Sequence, residues 1–315
     1  RIAAEAPGLS GDAIYEEARA RVGAMLQVIT YEQFLPLLLG DDALPEWSGY
    51  DDGVDPTLAN VFSTVAYRLG HSMVTPQLAR LNGLLLPVPD GPLALRDAFF
   101  APEQMERDGA VAELMRGAAM HTMQSLDRWI VDDLRNFLFG PPGSGGFDLG
   151  ALNLQRARDH GIPDYNAVRA AYGLAPASSF SDITTDPALA DALAGVYGSV
   201  DDIDPWIGGL AEDRAPGRMV GPLLQAILVE QFVRLRDGDR FWYRNIFSGE
   251  VLEEIESTRL VDVVRRNSEA GSELPADLFR GGVTPFSIPV LGPWGLVLLA
   301  LVLLMAAPRF VSRAS

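Results

Sequence analysis

Three histidines, His71, His121 and His160, are the only imidazoles in the chain, and there is no cysteine. Every basic residue is arginine, so no lysine is present to form a Schiff base. The lack of thiols removes disulfides, thiolate nucleophiles, cysteine-ligated zinc, thiolate-ligated haem and covalent c-type haem attachment. Imidazole ligation to a metal or a haem iron survives this elimination. His71 lies in "RLGHSMV" (68–74), with Arg68 three residues before it. The imidazole offers a ring nitrogen to a metal, and the guanidinium could pair with a carboxylate of the same ligand. A hydrogen-bonded core histidine has the same local sequence, and the residues alone leave both readings open. His160 sits in "NLQRARDHGIPDYN" (153–166), whose clustered arginine, aspartate and asparagine read as a polar network between helices. His121, in "AMHTMQSLDRW", has no candidate co-ligand nearby. No H-E-x-x-H, G-x-S-x-G or glycine-rich phosphate loop occurs.

The elements that must carry these residues read as helices. Ile14, Ala18, Val22, Met25, Leu26 and Ile29 fall on one face of a first helix. Thr30 and Gln33 have the spacing of a capping box, which predicts a separate second helix ending near Gly40. Residues 41–53 are polar, interrupted by glycine and proline, and read as loop. Asp55-Pro56 predicts the start of a third helix that runs to about Leu81. On that helix Leu58, Phe62, Val65, Leu69 and Met73 make a core stripe, and His71 lies off it beside Thr64, Tyr67, Val74 and Leu78. Further helices are expected near 102–116, 120–138, 163–172, 187–197, 219–235 and 250–266. "GPPGSGG" (140–146) reads as a loop, there is no sustained period-two alternation and no long repeat, so the body is mainly α.

The chain is long enough for one large domain or two ordinary ones, and 48% hydrophobic with 21% charged residues describes a folded body. A formal charge of −17 opposes a nucleic-acid partner, because phosphate binding needs a concentrated basic surface. The stretch from Phe286 to Ala307 carries no charge and is followed by Arg309 and Arg313. It meets the roughly 20 apolar residues that a bilayer span needs. Its arginines predict a cytoplasmic C-terminus. The division expected is a helical body over 1–283 and a transmembrane tail over 284–315.

Three separated stretches resemble the animal-type haem peroxidase family, the group of myeloperoxidase and peroxidasin, which has bacterial members. They are 14–40 with "VDPTLANVFSTVAYRLGHSMVTPQLARLNG" (54–83), "ALNLQRARDHGIPDYNAVRAAYGL" (151–174), and "VYGSVDDIDPWIGGLAED" (196–213) with "VGPLLQAILVEQFVRLRDGDRFWYRN" (220–245). The resemblance implies that His71, in the "RxGH" pattern, is the proximal ligand of the iron of haem b. It implies that Asn153, in "LNxQRxRDHG", accepts a hydrogen bond from the other ring nitrogen of His71 and tunes the iron. Arg68 and Arg156 match positions near haem propionates, while Arg158, Asp159 and His160 read as structural members of the same network.

The family's distal histidine, distal arginine, haem-esterifying carboxylates and calcium loop all lie N-terminal to the segment resembling 12–29. The chain opens at Arg1 in mid-pattern without Met or a signal peptide, so it reads as the C-terminal portion of such a domain, inactive alone. The activity implied is reduction of hydrogen peroxide coupled to oxidation of a small donor or halide. Two alternatives stand beside it. A cyclooxygenase-type fatty-acid dioxygenase would place a radical tyrosine three residues before the proximal histidine, where this chain has Arg68; Tyr67 is one residue earlier. A non-catalytic envelope adhesion or scaffold protein would keep the fold without haem. Finally, "IPVLGPWG" (288–295) ahead of the apolar span resembles a C-terminal sorting signal of Gram-negative bacteria. That implies export to the cell envelope or surface and an exosortase-type protease as partner, with a plain single-pass anchor as the alternative.

Overall fold

The Gly11–Ile29 helix does not stop at Thr30. It continues through one wide turn, Thr30–Phe34, into Leu35–Leu39, with the Leu35 N–H bonded to the Thr30 carbonyl. Pro36 is the physical reason. It has no N–H for the Glu32 carbonyl and its ring would strike that carbonyl, and one extra residue in the turn relieves both problems. A single long helix therefore replaces the two expected. By length and composition Gly11–Leu39 could cross a membrane, but its last turn is core: Leu35, Leu38 and Leu39 are at most 1% exposed. Val22 and Leu26, expected on the buried face, are 56% and 61% exposed; Ala24 and Val28 pack instead against Trp242, Tyr243 and Ile255.

This computed structural model describes residues 1–138, 140 and 146–280. Arg1–Gly281 forms one unit. The tail expected from 284 onward lies outside the described residues, as do 141–145 of the glycine-rich stretch.

The expected helix from Pro56 to Leu81 is broken. Asp55 instead closes a local turn, accepting from the Thr57 N–H and hydroxyl at 2.9 Å each. The α-helix runs only from Asn60 to Thr64, where the Ser63 and Thr64 hydroxyls bond back to the Asn60 carbonyl and Val65 departs from helical geometry. A 3₁₀ segment, Ala66–Ser72, follows. Thr75-Pro76 ends any continuation, because the residue before proline avoids the α region. Gln77–Leu78 pairs antiparallel with Leu93–Ala94. Phe62, Val65 and Leu69 are buried as expected, but Leu58 is exposed.

Elsewhere the sequence reading is partly met. The helix near 102–116 becomes a 3₁₀ turn, Pro102–Met105, and a helix, Ala110–Met120; His121 ends that helix instead of opening one, and only Asp132–Arg135 is helical within 122–138. The 250–266 helix is split into Gly249–Ser257 and Leu260–Asn267. Asp186 caps Pro187–Tyr197 as Asp-Pro predicts, accepting from the Ala188 N–H. Among the described helices of seven or more residues, two had not been expected: Leu149–Asp159, capped by Asp148, and Pro205–Ala211.

The Pro222–Asp237 helix is the spine of the main core. Leu223, Leu224, Ile227 and Leu228 are fully buried, each contributing about 1.5–3 kcal/mol relative to an exposed position. Close packing between the Tyr165–Ala171 and Pro205–Ala211 helices depends on Gly208, where an added Cβ would sit 2.2 Å from Tyr165 Cδ2. Gly208→Ala is expected to cost about 1–3 kcal/mol by overpacking. A lowered denaturant midpoint with unchanged slope would confirm it.

Candidate functional site

Two elements build the site: the 3₁₀ segment Ala66–Ser72 and the helix Leu149–Asp159. In a 3₁₀ helix residues i and i+3 eclipse, so Arg68 and His71 project from the same edge. An α-helix would have left them about 60° apart. The opposing helix offers Asn153, fully buried, and Arg156 one turn further on. Asn153 Nδ2 lies 2.8 Å from His71 Nδ1, and Arg68 Nη1 donates to Asn153 Oδ1 at 2.9 Å. Arg68 Nε also donates to the Ser63 carbonyl at 3.1 Å. The Asn153 carboxamide is thus shared. Its oxygen goes to Arg68, and its N–H faces the ring, the reverse of the sense expected from sequence.

Electrostatics suit a metal-binding imidazole. Burial, then the Arg68 charge, push the His71 ring below the ordinary histidine value, against the pull of the Asn153 contact. The ring is held neutral near pH 7, the form that ligates. Burial and then the neighbouring Arg156 guanidinium push Arg68 down from its ordinary value. In a chain with 42 acidic and 25 basic residues, neither arginine has an ion-pair partner among the described residues. Two close guanidiniums without carboxylates form a receptor for an anionic ligand.

The rest of the polar cluster holds the scaffold. Arg158 grips Asp204 through two bonds of 2.8 and 2.6 Å, and the Tyr197 hydroxyl donates to the same carboxylate at 3.0 Å. Asp159 accepts from Gln155 Nε2 at 2.6 Å. His160 Nδ1 is 2.8 Å from Asn60 Oδ1, and Asn60 Nδ2 donates to the His160 carbonyl, tying the end of the Leu149–Asp159 helix to the Asn60–Thr64 helix that leads into Ala66–Ser72. Asp204 and Tyr197 lie within the quoted stretch 196–213, but nothing in the sequence paired them with Arg158, which is far from them along the chain. No hydrogen bond among the described residues joins His121 to His71 or Asn153; it lines a largely apolar cavity of about 590 Å³ with Met73, Met105, Met115 and Met123. Tyr67 is turned away from the site, stacked on Phe62 at 4.8 Å and edge-on to Phe232 at 5.8 Å.

Asn153→Ala removes the only side chain seen bridging His71 and Arg68. Outer partners of a ligating histidine typically contribute 10–100-fold to metal affinity. With His71 as the haem ligand that the resemblance implies, the variant is expected to release haem about tenfold faster in a haem-transfer assay.

The profile described as animal haem peroxidase matches residues 1–279. Peroxinectin A of Dictyostelium discoideum is 40% identical over 276 residues, which is 87% of this chain and 50% of that protein. Thyroid peroxidase of Sus scrofa is 40% identical over 287 residues, 88% of this chain and 31% of that protein. The solved peroxidase A from Dictyostelium discoideum superposes with a TM-score of 0.82 at 39% identity, covering 88% of this chain and 53% of that one. A fatty acid alpha-dioxygenase of Arabidopsis thaliana shares the fold, with a TM-score of 0.71 at 23% identity over 84% of this chain. The chain therefore spans about half the length, or less, of the relatives it matches. The residues fit the haem that the family implies: an imidazole kept neutral beside a carboxamide that can turn its oxygen to the ring, and two arginines without carboxylate partners among the described residues. With a family match over residues 1–279 and relatives 40% identical over 87% and 88% of its length, this chain belongs to the animal haem peroxidase family.

Proposed function

We propose that this chain supplies the proximal side of a haem peroxidase that reduces hydrogen peroxide while oxidising a small donor or halide. The observation that carries the reading is the buried Asn153 held 2.8 Å from His71 Nδ1. With Arg68 turned to the propionates, the Asn153 oxygen would be free to accept from His71 Nδ1–H, and His71 would ligate the iron of haem b through Nε2. Arg68 and Arg156 would hold the propionates, which places a fixed positive pair at the haem edge. Asn153 would orient the imidazole and hold it in register with Arg68. When bound, haem supplies the redox chemistry with peroxide; this chain's residues bind it, orient it and keep the ligating ring neutral.

The acid–base pair that assists O–O cleavage, and any calcium loop, are assigned to a segment outside this sequence, consistent with the half-length coverage of the relatives. The tail over 284–315 is assigned to export and to membrane anchoring or exosortase-type processing in a bacterial envelope. Arg68 in place of a radical tyrosine, and Tyr67 packed between phenylalanines, weigh against fatty-acid dioxygenation.

Titrating haem into the isolated chain and into the protein translated from its complete reading frame tests this reading. The complete protein should give a full Soret band and turn over a phenolic donor, and the isolated chain should not turn over. Equal turnover by the isolated chain would overturn the one-sided site. Intact-mass measurement of the exported protein reads whether residues beyond 288–295 are retained.

A further inference from the structure

Gln231 is fully buried on the Pro222–Asp237 helix, yet its carboxamide serves no partner on its own helix. Its Oε1 accepts from the Ala59 N–H at 2.6 Å, and its Nε2 donates to the Thr57 carbonyl at 3.2 Å. Ala59 is the N-cap of Asn60–Thr64, and an alanine has no side chain to satisfy the unpaired N–H groups that open a helix. A remote glutamine therefore does part of the work of a local cap. One turn on, Arg234 donates to the Asp55 carbonyl at 2.8 Å and to the same Thr57 carbonyl at 3.0 Å. Phe232, next to Gln231, packs edge-on to Phe62 at 5.7 Å and to Tyr67 at 5.8 Å. Tyr67 immediately precedes Arg68. One helix thus grips residues 55–67 at the backbone and at the aromatic rings, and the next four residues carry Arg68 and His71.

We propose that Gln231 is a positioning residue for His71: by seating the start of the 60–72 segment it sets the distance and angle at which His71 meets Asn153. The proposal rests on the reading of His71 as haem ligand. It concerns a residue 160 positions away in sequence that contacts neither His71 nor Asn153. Gln231→Leu keeps the volume and removes both bonds. Arg234 still serves the Thr57 carbonyl, so the loss concentrates on the Ala59 N–H. Gln231→Glu keeps an acceptor for that N–H, with Arg234 one turn away to balance the charge.

The test uses the haem-loaded protein from the complete reading frame and reads the ferrous iron–imidazole stretch by resonance Raman and the haem-release rate. Gln231→Leu should shift the stretch in the same direction as Asn153→Ala and speed haem release about tenfold, the lower end of the range for partners behind a ligand. Gln231→Glu should restore most of both. The proposal is overturned if Gln231→Leu keeps the wild-type stretch and release rate, or if Gln231→Glu is as defective as Gln231→Leu. His71→Ala run in parallel separates the two readings: a retained iron–imidazole band there sinks the ligand assignment, whereas its loss beside an unchanged Gln231→Leu sinks only the role of Gln231.

Discussion

His71→Ala should abolish the iron–imidazole band and weaken haem binding by more than about a hundredfold, beyond the 10–100-fold assigned to partners behind a ligand. Two features make this the largest functional effect. The ring is kept neutral by burial and by Arg68, so metal binding needs the ring proton to move from Nε2 to Nδ1 but not the loss of a cation's proton. The eclipsed 3₁₀ geometry also places His71 and Arg68 on one edge, so a single ligand can meet both. Removing the ring leaves Arg68 and Arg156 in place, and residual weak binding through the carboxylate contacts is expected. Adding free imidazole to a His71→Gly variant should recover part of the band. His121→Ala provides the internal comparison and should leave the spectrum unchanged, because that residue ends a helix and no hydrogen bond among the described residues joins it to His71 or Asn153. A wild-type spectrum in His71→Ala would refute the assignment.

Glu212→Leu should be the largest effect on stability, about 3–5 kcal/mol, the range for breaking a buried pair by deleting one partner. Glu212 is 5% exposed at the end of the Pro205–Ala211 helix. Its Oε1 accepts from the Tyr165 hydroxyl at 2.8 Å and from Arg169 Nη1, and its Oε2 accepts from the Leu223 N–H at 2.7 Å. One carboxylate therefore joins three helices, including the spine that carries Gln231. Without it the Arg169 charge and the Leu223 N–H lose their partner in a dry environment. Gly221 shows how tightly the side chain is enclosed, since an added Cβ there would lie 2.3 Å from Glu212 Cβ. Equilibrium denaturation reads the loss directly. A change below about 1 kcal/mol, the net contribution of an ordinary hydrogen bond, would show that the network is dispensable.

Much of this was legible from local pattern. Asp186-Pro187 marked a helix start because the cap and the fixed proline φ act within a few residues. The helix expected near 219–235 was found at Pro222–Asp237, because its periodicity too is local. The pattern misled where a distant contact or a backbone conflict decided the outcome. Asp55-Pro56 carries the same start signal as Asp186-Pro187, yet Asp55 spends its oxygens on Thr57, and the helix opens only at Asn60, where Gln231 supplies the missing acceptor. The exposed Val22 and Leu26 belong to a helix with more apolar residues than its described neighbours cover, so periodicity could not say which would be buried.

The sequence by itself determined the chemistry available. Histidine was the only imidazole-bearing ligand type, cysteine and lysine chemistry were absent, and three separated motifs marked out His71, Asn153, Arg68 and Arg156. Only the tertiary structure decided how these residues meet. It showed that Asn153 is shared between a ring and a guanidinium, that Arg68 and Arg156 lack carboxylate partners among the described residues, and that a glutamine on a third helix holds the segment bearing His71. The physical reason is range: caps, turns and periodicity are energies between residues a few positions apart, whereas a buried carboxamide finds its partner wherever packing brings an unpaired backbone group within about 3 Å.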